Sequence, residues 1–86
     1  MTVIRYPLQG KPLTPPELQV LRLVACGLSN ARIAEETGLT VDSVKSHLAR
    51  LRAKLGARDR AHAVGIGMRA GLIGDRPVIQ GGRRAA

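Results

Sequence analysis

Three observations make this chain all-α, four short helices with a short arm at each end. Apolar residues recur at the spacing of about 3.6 that gathers them on one face of a helix. The segments that carry this spacing open on Thr, Ser or Asp and close on Gly, the residues that start and stop helices. No stretch alternates apolar and polar residues as a half-buried strand would. The 86 residues include one Tyr, no Phe and no Trp, so the core is aliphatic and modules that stack bases on aromatic rings are largely excluded.

Residues 1–12 hold two prolines, Gly10 and a brief Val3-Ile4 pair without a sustained period, and read as an arm. The first helix opens at Leu13-Thr14-Pro15-Pro16-Glu17. There Thr14 can accept from a first-turn amide, Pro15 suits the first helical position, and Glu17 completes a capping box. Leu18, Val20, Leu21, Val24 and Ala25 then share a side until Gly27 stops the helix. Ser29 or Asn30 caps a short second helix through Ala31, Ile33, Ala34 and Glu36, which ends at Gly38. After the tight turn Gly38-Leu39-Thr40, Thr40 caps a third helix whose Val44, Leu48, Leu51 and Leu55 form the strongest periodicity in the chain, and Gly56 closes it.

Asp59 caps a fourth helix from Arg60 to about Ala70. Gly65 and Gly67 each cost it about 1 kcal/mol against Ala, so its stability has to come from packing. The expected division is an arm over 1–12, one domain over 13–73, and a basic flexible tail over 74–86 that carries Arg83-Arg84.

The formal net charge is +8, from 14 Lys and Arg against 6 Asp and Glu, which points to a polyanionic partner. Residues 40–60 hold six cations against two acids, whereas residues 13–39 hold two against three. On a helical wheel the face of the third helix opposite its apolar stripe presents Asp42, Ser46, Ala49 and Ala53. Lys45 and Arg52 flank that face on one side, with Ser43, Arg50, His47 and Lys54 on the other. A ridge of small side chains with cationic shoulders suits a DNA major groove: the ridge allows close approach and the shoulders meet phosphates. The short helix, glycine turn and longer basic helix stand in the order of a helix-turn-helix.

Ser29, Asn30, Thr40 and Ser43 lie at helix starts, where free amides can hold phosphate or the side chains can simply cap. Asp42 in a first turn reads as a partner of the helix dipole. Cys26, His47 and His62 lie on separate helices without ligand spacing, so neither a metal site nor a catalytic constellation is expected, and no cofactor. One cysteine gives no internal disulfide and fits a reducing, cytoplasmic compartment. No apolar stretch nears the roughly 18 residues that cross a bilayer, so no membrane partner is expected.

The runs Leu13-Thr14-Pro15 with Glu17, Val20-Leu21-Arg22-Leu23-Val24-Ala25, Gly27-Leu28-Ser29-Asn30, Ile33-Ala34, Gly38-Leu39-Thr40, Val44-Lys45-Ser46-His47, Leu55-Gly56-Ala57-Arg58-Asp59-Arg60 and Ala63-Val64 closely resemble the LuxR-type (GerE/FixJ-like) DNA-binding domain. The resemblance covers about 13–73. It implies a four-helix domain that binds duplex DNA, usually as a dimer, and regulates transcription as a non-enzymatic, cytoplasmic protein, nucleoid-associated when bound. By position it implies base reading by Lys45 and Ser46. Ala49 stands where relatives can carry a longer polar or basic side chain, and Pro16 where an Arg is frequent. With Arg50 these complete the expected DNA-contacting set of Ser29, Asn30, Thr40, Ser43, Lys45, Ser46, Ala49 and Arg50.

Ala61, Gly65 and Met68 share one side of the fourth helix, the helix through which the family commonly dimerises, and form the expected homodimer face. Because the chain before Leu13 is too short for the receiver or ligand-binding domain of most relatives, the sequence reads as a stand-alone effector domain. The alternative is an interaction module of the same fold that binds RNA polymerase, a sigma factor or another LuxR-type regulator.

Overall fold

The computed structural model describes residues 9–74; the Val3-Ile4 pair and the Arg83-Arg84 tail lie outside the described residues. Four helices follow one another, α1 Pro15–Ala25, α2 Asn30–Thr37, α3 Val41–Leu55 and α4 Arg60–Arg69, and there is no strand among the described residues.

Each helix starts on the local chemistry read from the sequence. The Thr14 hydroxyl accepts from the Glu17 amide at 3.4 Å while Glu17 Oε1 accepts from the Thr14 amide at 2.9 Å, a reciprocal capping box. Of the two candidates for α2, Ser29 is the cap: its Oγ accepts from the Arg32 amide at 3.2 Å, and Asn30 is the first helical residue. Thr40 accepts from Ser43 N–H at 3.0 Å, and Asp59 from His62 N–H at 2.8 Å.

The turn between α2 and α3 is held from both sides. Gly38 adopts φ +76°, a left-handed conformation costly for a residue with a Cβ. The Thr37 hydroxyl donates to Ile33 O at 2.7 Å and accepts from Leu39 N–H at 3.3 Å.

Val20, Leu21 and Val24 of α1, Ile33 of α2, Val44, Leu48 and Leu51 of α3, Ala63 of α4 and Ile73 beyond it form one aliphatic core. α1 and α3 pack against each other and against both remaining helices, whereas α2 and α4 do not pack together. Arg60 spans between them with two hydrogen bonds, from Nη1 to Asn30 Oδ1 and from Nη2 to Leu28 O, each 3.0 Å. The last residues before α1 dock on the end of α3: Gly10 N–H donates to Lys54 O at 2.9 Å, and the Gln9 side chain lies over Gly56.

The two glycines of α4 differ in kind. A Cβ at Gly67 would sit 2.9 Å from Leu21 Cδ2 and 3.4 Å from Ile73 Cγ1, so its absence lets α1 close onto α4. A Cβ at Gly65 would meet nothing nearer than Arg69 Nη1 at 3.6 Å. Both alanine variants gain the same helix propensity, so their difference isolates the packing. Gly67→Ala is expected to be less stable than Gly65→Ala by about 1–3 kcal/mol, the usual cost of overpacking, as read from urea midpoints with an unchanged slope.

Candidate nucleic-acid interface

Tertiary packing divides the six cations of residues 40–60 into two groups. Lys54, placed by the wheel on a solvent-facing shoulder, is taken inward where α1 crosses α3: its Nζ lies 2.6 Å from Glu17 Oε1, with the side chains 8% and 2% exposed. Arg60 is the brace between α2 and α4. Arg52 is half-buried; its Nη2 donates to Arg58 O at 2.7 Å and its buried Nε has no partner. The cationic flank is therefore narrower than the wheel predicts. Lys45, Arg50 and Arg58 remain exposed, and their side chains have no hydrogen-bond or ion-pair partner among the described residues.

α3 turns Val44, Leu48 and Leu51 into the core and leaves Asp42, Lys45, Ser46, Ala49 and Arg50 exposed. Ala49 and Ala53, with Arg52, Ala57 and Arg58, line a shallow depression along its C-terminal half. Ser46 and Ala49 are thus small, exposed side chains on this face, with Lys45 and Arg50 exposed beside them. α2 presents a different surface. Its Arg32 is tied to Glu35 and Glu36 at 3.3 Å each in exposed pairs, which leaves the outside of α2 with one net negative charge. Such pairs contribute little to stability. Here they make α3 the source of positive field.

Thr40 and Ser43 stand at the N-terminal end of the same α3 surface and are bonded to each other, Thr40 Oγ1 donating to Ser43 Oγ at 3.1 Å. Ser29 and Asn30 are not on that surface: they open α2, at the end away from the turn, where Ser29 caps and Asn30 Oδ1 is held by Arg60. The structure therefore brings Thr40, Ser43, Lys45, Ser46, Ala49 and Arg50 together and leaves Ser29 and Asn30 as a separate helix start. Both helix starts retain first-turn amides that can face an anion.

The start of α4 is fixed by Asp59, whose carboxyl is held below the usual carboxylate range first by the His62 backbone amide, which with the nearby charges of Arg58, His62 and Arg52 outweighs the opposing effect of burial. The Arg58 amide donates in turn to His62 Nδ1 at 3.0 Å. On the outer side of α4, Ala61 and Met68 are exposed and Gly65 is half-buried. Met68, 38% exposed, and Val41, 40% exposed, are the large hydrophobic side chains left open among the described residues. Cys26 is exposed, and no three His, Cys, Asp or Glu side chains of the described residues converge on a possible metal position. No helix of the described residues is long and apolar enough to cross a membrane.

Sequence reasoning passed over two residues of this surface region. Arg60 was read only as the first residue of a helix, since nothing local marks its bonds to Asn30 and Leu28, 30 and 32 positions away. Val41 carries no role in the sequence reading; its place at the first position of the long basic helix is the available signal.

The sequence model GerE, bacterial regulatory proteins of the luxR family, matches residues 11–66, which run from the docked end of the arm into α4. The chain belongs to the LuxR family of bacterial regulatory proteins. Among LuxR-type relatives, it is 40% identical over 64 residues to the uncharacterized transcriptional regulatory protein YxjL of Bacillus subtilis, a match over 74% of this chain and 29% of that protein. It is 42% identical over 65 residues to the HTH-type transcriptional activator RamA of Corynebacterium glutamicum, over 76% of this chain and 23% of the relative. It is 40% identical over 52 residues to the response regulator protein VraR of Staphylococcus aureus, over 60% and 25%. The chain thus spans about a quarter of the length of the curated relatives it matches. Within this LuxR-type domain, α2, the Gly38 turn and α3 are the helix-turn-helix.

Proposed function

We propose that the chain binds duplex DNA sequence-specifically as a homodimer and regulates transcription in the bacterial cytoplasm, on the nucleoid when bound. α3 enters the major groove. Lys45 and Ser46 read base edges, the small Ala49 permits close approach, and Arg50 meets phosphate. Thr40 and Ser43 at the start of α3, and Ser29 and Asn30 at the start of α2, present amides and side chains to the backbone on either side. Ala61, Gly65 and Met68 of α4 form the protomer contact, which sets two half-sites about 10 bp apart. No enzymatic step is part of this function.

The observation that carries the reading is the sorting of charge. Packing consumes Lys54, Arg52 and Arg60, and leaves Lys45 and Arg50 without a partner among the described residues, beside the small side chains of α3. The relatives named as transcriptional regulators support the same conclusion.

Selection of bound sequences from a random duplex pool at near-physiological salt, with Lys45→Ala in parallel, tests it. The expected result is an inverted repeat bound by two protomers in sedimentation. Lys45→Ala should weaken binding by about 1–3 kcal/mol and relax the preference at one position of each half-site. A uniform loss with unchanged preference would move Lys45 from base to phosphate. Recovery of no motif by folded protein would sink the reading in favour of a protein-binding module, and one protomer per saturated site would remove the dimer.

A further inference from the structure

We propose that Val41 is a base-reading residue, its isopropyl group packing on the 5-methyl group of a thymine in the major groove. The assignment rests on the DNA-binding reading above and extends it to a residue outside the polar set.

Val41 is the first residue of α3, immediately after the Thr40 cap. In a helix-turn-helix the N-terminal residues of the second helix are those that reach base edges. The side chain is 40% exposed although valine is apolar, and the core stripe of α3 begins only at Val44. It therefore gives the fold little that a smaller residue would not. Lys45, one helical turn further along, is exposed on an adjoining strip of the same helix and has no partner among the described residues. A cation that draws the helix toward phosphates or guanine thus stands beside an apolar group.

The one apolar feature that the major groove offers is the thymine methyl. β-Branching limits Val41 to few rotamers, so its two methyl groups are held in position before DNA arrives.

The test uses the full 86-residue chain and its selected DNA sequence. Each thymine is replaced singly by deoxyuridine, which removes the methyl group and leaves pairing intact, and affinity is measured for the native protein and for Val41→Ala. The native protein is expected to lose roughly fourfold at one thymine of each half-site, the worth of one buried methyl group. Val41→Ala should bind the unmodified site more weakly by a similar or larger factor and show no further loss at that thymine. An unchanged thermal melt would separate this from unfolding. Equal losses in both proteins, or no uracil-sensitive thymine in the selected site, would overturn the assignment while leaving DNA reading by Lys45 and Ser46 intact; failure to select any sequence would overturn both.

Discussion

Lys54→Ala is expected to lower the stability of the domain by about 3–5 kcal/mol, because it leaves the Glu17 carboxylate buried and unpaired. That is a large share of the roughly 5–15 kcal/mol that holds a domain folded. Glu17 is 2% exposed and keeps only the Thr14 amide, at 2.9 Å, once the ammonium at 2.6 Å is gone. Urea titration of the variant checks the loss, with the slope expected to stay unchanged until the folded baseline disappears. Combining Lys54→Met with Glu17→Gln removes both charges, keeps an oxygen for Thr14, and should recover most of the stability.

The same pair gives the domain a pH dependence of definite sign. Burial on its own would raise the Glu17 carboxyl; the hydrogen bond and charge of Lys54, with the bonds at Thr14, outweigh it and hold the group below its ordinary value. A carboxyl depressed in the folded state binds fewer protons than in the unfolded chain. Its contribution is then complete above the unfolded value and disappears as pH falls through the lower, folded one. Asp59 is depressed too and acts in the same direction. The Glu17→Gln, Lys54→Met protein should therefore lose less stability than the native chain between pH 6 and pH 3, roughly the carboxylate range.

Replacing Lys45 and Arg50 together by alanine is expected to weaken binding to the selected DNA about a hundredfold per half-site, two charge-assisted contacts each worth about tenfold. The salt dependence separates their roles. Each phosphate neutralised contributes about 0.9 to the slope of log affinity against log salt, and a dimer carries two copies of each residue, so the slope should fall by about 1.8 if Arg50 alone meets phosphate and by about 3.6 if both do. Arg32→Ala removes one positive charge as well, from a guanidinium already held by Glu35 and Glu36. It should change affinity less than about twofold, the ordinary effect of a rim charge already neutralised. Anisotropy titrations at several salt concentrations measure all three proteins, and an Arg32→Ala loss equal to that of the pair would reduce the proposed interface to bulk charge.

What the sequence makes legible here is what depends on near neighbours. The caps at Thr14, Thr40 and Asp59 each act on an amide three positions on, and the stops at Gly27, Gly38 and Gly56 each relieve a local backbone strain. Such features sit within one turn of the chain. Lys54 illustrates what is hidden: a wheel built on α3 alone gives it a solvent-facing flank, and only the crossing of α1 reveals Glu17, 37 positions earlier, as its partner. Gly67 is similar, since its value lies in the methyl group of Leu21. Ser29 and Asn30 are adjacent and equivalent as caps in the sequence; in the fold Ser29 Oγ takes the Arg32 amide, while Asn30 Oδ1 is held by Arg60, 30 residues on. For the site, the ridge of Ser46 and Ala49 was readable from spacing, whereas which cations remained available to it depended on the packing of α1 and of the loop before α4.

The contact of Gly10 with Lys54 O has a mechanical meaning. α3 is a rod of 15 residues, about 22 Å long at 1.5 Å per residue. Val41 and Lys45 stand at its front, and the incoming chain is moored at its rear. A load or a bulky body attached upstream would thus be carried at the end remote from the proposed bases.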